Sequence, residues 1–204
     1  MSIPNSLTIL RIILTPIFIA LLLSDSSFLK QLSLVVYIVA ALTDWYDGWV
    51  ARRFGYVSRW GKFLDPLADK ILFAAALFSF VYLRLIDAWM VWIIVGRDVI
   101  ITGLRSYAEW IDQPIVTSKT AQAKTFGEFI VIYYVLILYV AGNIPFIQRD
   151  FHTLLGTLMH QQVLFGMMLL VTFSTIGTGV MYLFDNRKFL RKLYIRYLGA
   201  AERK

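Results

Sequence analysis

Six stretches of the chain are apolar over about the length that carries a helix through a bilayer, with short polar connections between them. They fall at residues 7–23, 31–51, 63–83, 88–110, 126–147 and 161–184. A span needs roughly 20 apolar residues to cover about 30 Å of hydrocarbon. The runs are continuous, which excludes an outer-membrane barrel, whose strands alternate in polarity over about 10 residues. The pattern predicts an all-α, polytopic integral membrane protein with six transmembrane helices.

Composition sharpens that reading. The chain has 204 residues, 59% of them hydrophobic, and a mean hydropathy of +0.68. Six spans with short loops leave no room for a separate soluble domain. Residues 1–184 are therefore expected to form one six-helix transmembrane domain, with 185–204 as a basic C-terminal tail. Arg11 lies inside the first apolar run and Pro16 follows it. The charged-then-apolar order of a cleaved signal is thus missing, and a retained first helix is expected. The lack of cysteine fits a reducing compartment without demanding one.

Charge then orients the bundle. With loops assigned to alternate sides, Arg52, Arg53, Arg59, Lys62, Arg97, Lys119 and Lys124 fall on one side, together with the tail "DNRKFLRKLYIRYLGAAERK". The other side holds only Lys30, Arg84 and Arg149. Cytoplasmic loops carry the excess of Lys and Arg, so both termini are expected in the cytoplasm and the protein in the inner (plasma) membrane. The net charge of +7 then points to an anionic lipid surface rather than to nucleic acid. The tail reads either as an interfacial amphipathic segment or as a stop-transfer flank.

Against this apolar background, "LTDWYDGWVARR" and "KFLDPLADK" place Asp44, Asp47, Asp65 and Asp69 within 26 positions. The spacings of three and four put each pair on one helical face. A carboxylate at mid-bilayer costs roughly 2.5–3.5 kcal/mol, so four of them require compensation. A salt-bridged hairpin with Arg52, Arg53, Arg59, Lys62 and Lys70 balances the charge but explains neither the spacing nor Gly48 and Gly61. Glycine in a helix interior costs about 1 kcal/mol against alanine, and its use there is close approach by a backbone or ligand. Pro66 suggests that the third helix starts just before it, with Asp65 in its first turn. Two facing acidic pairs suit hard divalent cations such as Mg²⁺. His152 and His160 fall on the opposite side, as loop or interfacial residues. Trp45, Tyr46, Trp49, Tyr56 and Trp60 read as an interfacial aromatic belt. Intramembrane acids also mark ion paths, so a cation-coupled transporter is an alternative. Clustering at one face, without internal repeats, argues against it.

The run Asp44-Trp-Tyr-Asp47-Gly48-Trp-Val-Ala51-Arg52, then eight residues to Gly61, three to Asp65 and three to Asp69, resembles the signature of the CDP-alcohol phosphatidyltransferases at every defined position. Within that family, "IPNSLTILRIILTP", "DPLADK" and "GRDVIITGLR" are similar to the branch whose acceptor is sn-glycerol 3-phosphate. Two departures stand out. Asp98 follows Arg97 where that branch more often has Glu, and Ala121-Gln122-Ala123-Lys124-Thr125 replaces a motif with an earlier Gly-Lys pair.

The resemblance implies a catalytic transmembrane domain that moves the phosphatidyl group of CDP-diacylglycerol to sn-glycerol 3-phosphate. It implies two Mg²⁺ (or Mn²⁺) held by Asp44, Asp47, Asp65 and Asp69, with Asp69 also the catalytic base. CDP-diacylglycerol would meet Asn5, Thr8, Gly48, Ala51, Arg52 and Ser58. The acceptor phosphate would meet Arg97, Arg105, Lys119 and Lys124. A homodimer in the bilayer, with the active site on the cytoplasmic side, completes the expectation. A same-family enzyme with another acceptor, such as the phosphatidylglycerol used in cardiolipin synthesis, would keep every metal residue.

Overall fold

The computed structural model describes the backbone of residues 3–54, 59–111, 119–187 and 189–191, and side chains at 8–43, 67–108, 110–111, 124–187 and 189–191. All regular structure among these residues is helical, in the order α1 (Ile3–Leu22), α2 (Ser27–Phe54), α3 (Arg59–Tyr82), α4 (Ala88–Trp110), α5 (Lys119–Gly142), α6 (Pro145–Leu158) and α7 (Gln161–Asp185). Six of these match the six apolar runs. The seventh, α6, occupies what the hydropathy left as a connection.

The buried face of each long helix is written at helical spacing. On α1 it is Thr8, Arg11, Thr15, Phe18 and Leu22; on α7 it is Leu164, Met168, Thr172, Thr175, Thr178 and Tyr182. These intervals of three and four residues trace one stripe along a helix. α1 packs against both α2 and α3, α4 against α3 and α7, and α5 against α7, α6 and α2. The apolar centre holds Phe18, Tyr37, Phe73, Leu77, Phe80, Ile94, Ile132 and Leu136. Phe18, Tyr37 and Tyr133 stack in series, with ring centroids 5.1 and 5.6 Å apart. The polar part of the interior lies toward the end of the bundle where α2 passes to α3 and α4 to α5, here called the charged end.

The outward faces are as apolar as the core. Ile13, Val35, Ile100, Leu170 and Phe173 are all more than half exposed. Two helical segments, Lys124–Gly142 and Gln161–Asp185, are long and apolar enough to cross a membrane outright; Thr8–Leu22 and Ser27–Thr43 are shorter apolar segments.

Two local features depart from expectation. α3 starts at Arg59, not just before Pro66, so Asp65 stands in its second turn and Pro66 in its interior. The missing amide of Pro66 leaves one carbonyl, a turn earlier, without its helical donor. α6 has no buried residues and breaks at Phe151, where φ is −121°. Its 14 residues are too few to span a bilayer, and they alternate aromatic residues with Gln148, Arg149 and Asp150. His152 lies on this helix, while His160 caps α7, its Nδ1 accepting from the Gln162 amide at 3.4 Å.

The end opposite the charged one is tied by side chains. Lys30 donates to Asn143 Oδ1 at 2.7 Å, joining α2 to the end of α5, and Tyr134 donates to the Leu158 carbonyl at 2.8 Å, joining α5 to α6. α3 ends with Arg84 at φ 57°, while Leu85 N donates to Phe80 O at 2.9 Å and Arg84 N to Val81 O at 2.9 Å. This is a Schellman stop with arginine where glycine is usual.

Candidate active site

The acidic residues sit at matched depth on consecutive helices. Asp44 stands ten residues before the end of α2 and Asp69 ten after the start of α3; Asp47 and Asp65 stand seven and six residues from the same ends. At about 1.5 Å per residue, one level is about 15 Å and the other about 10 Å below the connection. Each level therefore takes one aspartate from each helix. The side chains of Asp44, Asp47 and Asp65 lie outside the described residues. That of Asp69 is half-buried and acts electrostatically on the buried hydroxyl of Tyr37 on α2.

Among the described side chains no group of three or more His, Cys, Asp or Glu converges. The donor set that the backbone assembles is carboxylate oxygen alone, paired level by level across two helices. That chemistry fits Mg²⁺ or Mn²⁺ better than a softer ion.

The residues expected at the nucleotide divide in the same way. Gly48, Ala51 and Arg52 follow Asp47 on α2, and Asn5 lies in the first turn of α1; their side chains lie outside the described residues, and so does Ser58 altogether. Thr8 is described and is 2% exposed, three residues before the fully buried Arg11. Arg11 was legible as a charge inside an apolar run, a recurrent mark of function. The hydropathy reading used it only against a cleavable signal.

A second cluster lies beside the first. Asp69 and Lys70 are adjacent on α3 and so point about 100° apart. Lys70 donates to Asp98 Oδ2 at 2.6 Å. The other oxygen of Asp98 accepts from Lys124 at 2.6 Å and from Arg97 at 3.0 Å. Lys124 also pairs with Glu128, one turn along α5. Thr175 of α7 lies 3.4 Å from Glu128, and Arg97 donates to Thr178 Oγ1 at 3.1 Å. Four helices thus close around one carboxylate that is 2% exposed.

The charges of this cluster do not cancel. Lys70, Arg97 and Lys124 face only Asp98 and Glu128, and a second arginine, Arg105, stands exposed two turns from Arg97 on α4. A positive excess in an apolar setting is costly unless an anion arrives. Of the four acceptor residues expected from the sequence, the structure brings Arg97 and Lys124 together through Asp98. Lys119 opens α5 with its side chain outside the described residues. Lys124 is 1% exposed and held by two carboxylates, so its charge acts from behind Arg97. The reading of the sequence missed Glu128, Thr175 and Thr178, which are single polar residues at helical spacing on otherwise apolar faces.

α7 shapes this cluster by what it omits. A Cβ on Gly179 would stand 3.3 Å from Cγ and 3.4 Å from Nε of Arg97. The arginine stem lies in the space left by the missing side chain. On the bilayer side of Lys124 and Thr178, a groove of about 620 Å³ opens between α5 and α7, floored by Gly127 and Gly177 and walled by Ile130, Leu170 and Met181.

Helical bundle, paired aspartates and cation cluster together define a class, and comparison with known sequences agrees. The profile of the CDP-alcohol phosphatidyltransferases matches residues 1–173. The chain belongs to that family. Among individual relatives, it is 35% identical over 157 residues to the CDP-diacylglycerol–glycerol-3-phosphate 3-phosphatidyltransferase of Bacillus subtilis, covering 71% of this chain and 79% of that one. It is 30% identical over 142 residues to the protein of the same name from Rickettsia typhi, covering 70% and 79%. The likeness to the one from Rickettsia bellii is 27% over 188 residues and takes in 92% of this chain and 97% of the relative.

Proposed function

We propose that this chain transfers the phosphatidyl group of CDP-diacylglycerol to sn-glycerol 3-phosphate, releasing CMP and phosphatidylglycerophosphate in phospholipid biosynthesis. The observation that carries this reading is its likeness, over nearly the whole length, to proteins named for that reaction. The cation cluster supports it. A glycerol phosphate acceptor brings a phosphate dianion, and Arg97 with Arg105 offers planar guanidinium forks suited to it.

In this reading the chain spans the membrane with six helices, α6 lying along the outer interface. Both termini and the charged end face the cytoplasm, the basic residues of 185–204 rest at the lipid surface, and the protein is a homodimer of the inner membrane. Asp44, Asp47, Asp65 and Asp69 would hold two Mg²⁺ or Mn²⁺ ions. Such a pair supplies charge shielding for the attacking and leaving oxygens of a phosphoryl transfer.

The remaining work falls to the protein's own groups. Asn5, Thr8, Arg52 and Ser58 orient the nucleotide, and Gly48 and Ala51 let it approach the backbone of α2. Asp69 takes the proton of the 1-hydroxyl of glycerol phosphate as its oxygen bonds to the lipid-side phosphorus and the bond to CMP breaks. Lys70, the next residue, is anchored to Asp98, which fixes the rotation of α3 and hence the direction of Asp69. Arg97 and Arg105 hold the acceptor phosphate, with Lys119 and Lys124 adding positive potential. The acyl chains lie in grooves open to the bilayer. The test is CMP release from CDP-diacylglycerol by the purified protein with sn-glycerol 3-phosphate against other alcohols. Turnover with phosphatidylglycerol instead would assign it to cardiolipin synthesis.

A further inference from the structure

α4 and α7 pack side by side, and each brings polar residues to their boundary. α4 contributes Arg97 and Arg105, eight residues apart; α7 contributes Thr178 and Tyr182, one turn apart on one face. Arg97 reaches Thr178 at 3.1 Å. Tyr182 is 6% exposed, yet its hydroxyl has no hydrogen-bond partner among the described residues. The buried Nε of Arg97 also has none there. Both guanidiniums, Arg105 and Arg97, act electrostatically on that hydroxyl.

Buried polar groups in folded proteins are nearly always paired, and exceptions call for an explanation. Here the unpaired groups are all donors, or able to donate, and they lie between two cations. A metal ion would be repelled. A group made only of acceptor oxygens and carrying negative charge would satisfy them together. A phosphomonoester dianion has that character, with several lone pairs for two guanidiniums and one phenol.

We infer that Tyr182 is a further binding residue for the acceptor, its phenolic hydroxyl donating a hydrogen bond to the phosphomonoester held between Arg97 and Arg105. The inference rests on the proposed use of glycerol phosphate as acceptor and adds to it a contact from α7. It also gives α7, beyond Phe173 where the family match ends, a part in acceptor choice.

Tyr182→Phe tests this in the full-length protein in detergent, because it removes the hydroxyl and keeps the ring. The KM for sn-glycerol 3-phosphate should rise about tenfold or more, as expected for losing a hydrogen bond to a charged group, with the KM for CDP-diacylglycerol unchanged. Without ligand the melting temperature should stay the same or rise, because the hydroxyl has no partner to lose. Stabilisation by glycerol phosphate and by inorganic phosphate should shrink. An unchanged acceptor KM overturns the assignment, as does a rise confined to the donor, which would make the bound phosphate the donor's. A lower melting temperature without ligand would mean a structural hydroxyl and overturn it too. If the wild-type protein does not turn over glycerol phosphate, the proposed function fails separately. Stabilisation by inorganic phosphate then decides the Tyr182 site: it must appear in wild type and weaken in the Phe variant, and equal shifts in both refute it.

Discussion

Asp98 concentrates the electrostatics of the interior in one side chain. It meets Lys70, Lys124 and Arg97 from three helices and is 2% exposed. Removing one partner of a buried ion pair typically costs about 3–5 kcal/mol, because the other charge is left uncompensated. Asp98→Ala should lose stability in that range, read as the free energy of unfolding in detergent. Asp98→Glu keeps the charge and should retain most of both stability and turnover. At the acidic pairs the expectation is opposite in kind. Asp→Asn at Asp44, Asp47, Asp65 or Asp69 should abolish turnover while the protein still inserts, and chelation should do the same reversibly. Near-normal turnover in an Asp44, Asp47 or Asp65 variant would refute the two-metal reading.

The four aspartates were legible because they lie within 26 positions at fixed spacing. The cluster around Asp98 was legible only in part. Arg97 and Lys124 stood out as charges in apolar surroundings, but Lys70, Asp98 and Glu128 are joined only when α3, α4 and α5 pack. Tyr182 carried no signal in the sequence, since a tyrosine near a helix end is ordinary at a membrane interface.

Among the elements, α7 shows how a helix acts on a site without reacting in it. Gly179 leaves room for the stem of Arg97, and Thr178 accepts from its guanidinium. A methyl group at 179 would press on a flexible side chain, so Gly179→Ala should still fold. It should displace Arg97 and raise the KM for sn-glycerol 3-phosphate several-fold, leaving the donor KM alone. An unchanged acceptor KM would mean that Arg97 gives way freely. Element boundaries followed hydropathy wherever a helix is apolar throughout, as α4 does over 88–110. They failed where helices continue into charged sequence. α2 runs past the apolar stretch to Phe54, and α3 begins seven residues before Pro66. α6 was invisible to a span-length search because its 14 residues mix aromatic and charged side chains and bury none.

At the scale of the whole molecule, the outward apolar faces and the charged end fit a bundle whose chemistry sits at one membrane surface. Arginine and lysine counts place that surface in the cytoplasm, and the cysteine-free chain makes this simple to check. A cysteine introduced at Ser58 should resist an impermeant reagent added to intact cells and react in inverted vesicles. Labelling from outside would reverse the topology.

The central claim is the reaction itself. The measurement that tests it most directly is release of CMP from CDP-diacylglycerol by the purified full-length protein, with sn-glycerol 3-phosphate, phosphatidylglycerol, serine and inositol phosphate offered in turn. Metal-dependent CMP release with sn-glycerol 3-phosphate alone, matched by phosphatidylglycerophosphate formed, is the predicted result. Release of CMP with a different acceptor, or none with glycerol phosphate while the protein remains folded, would contradict it.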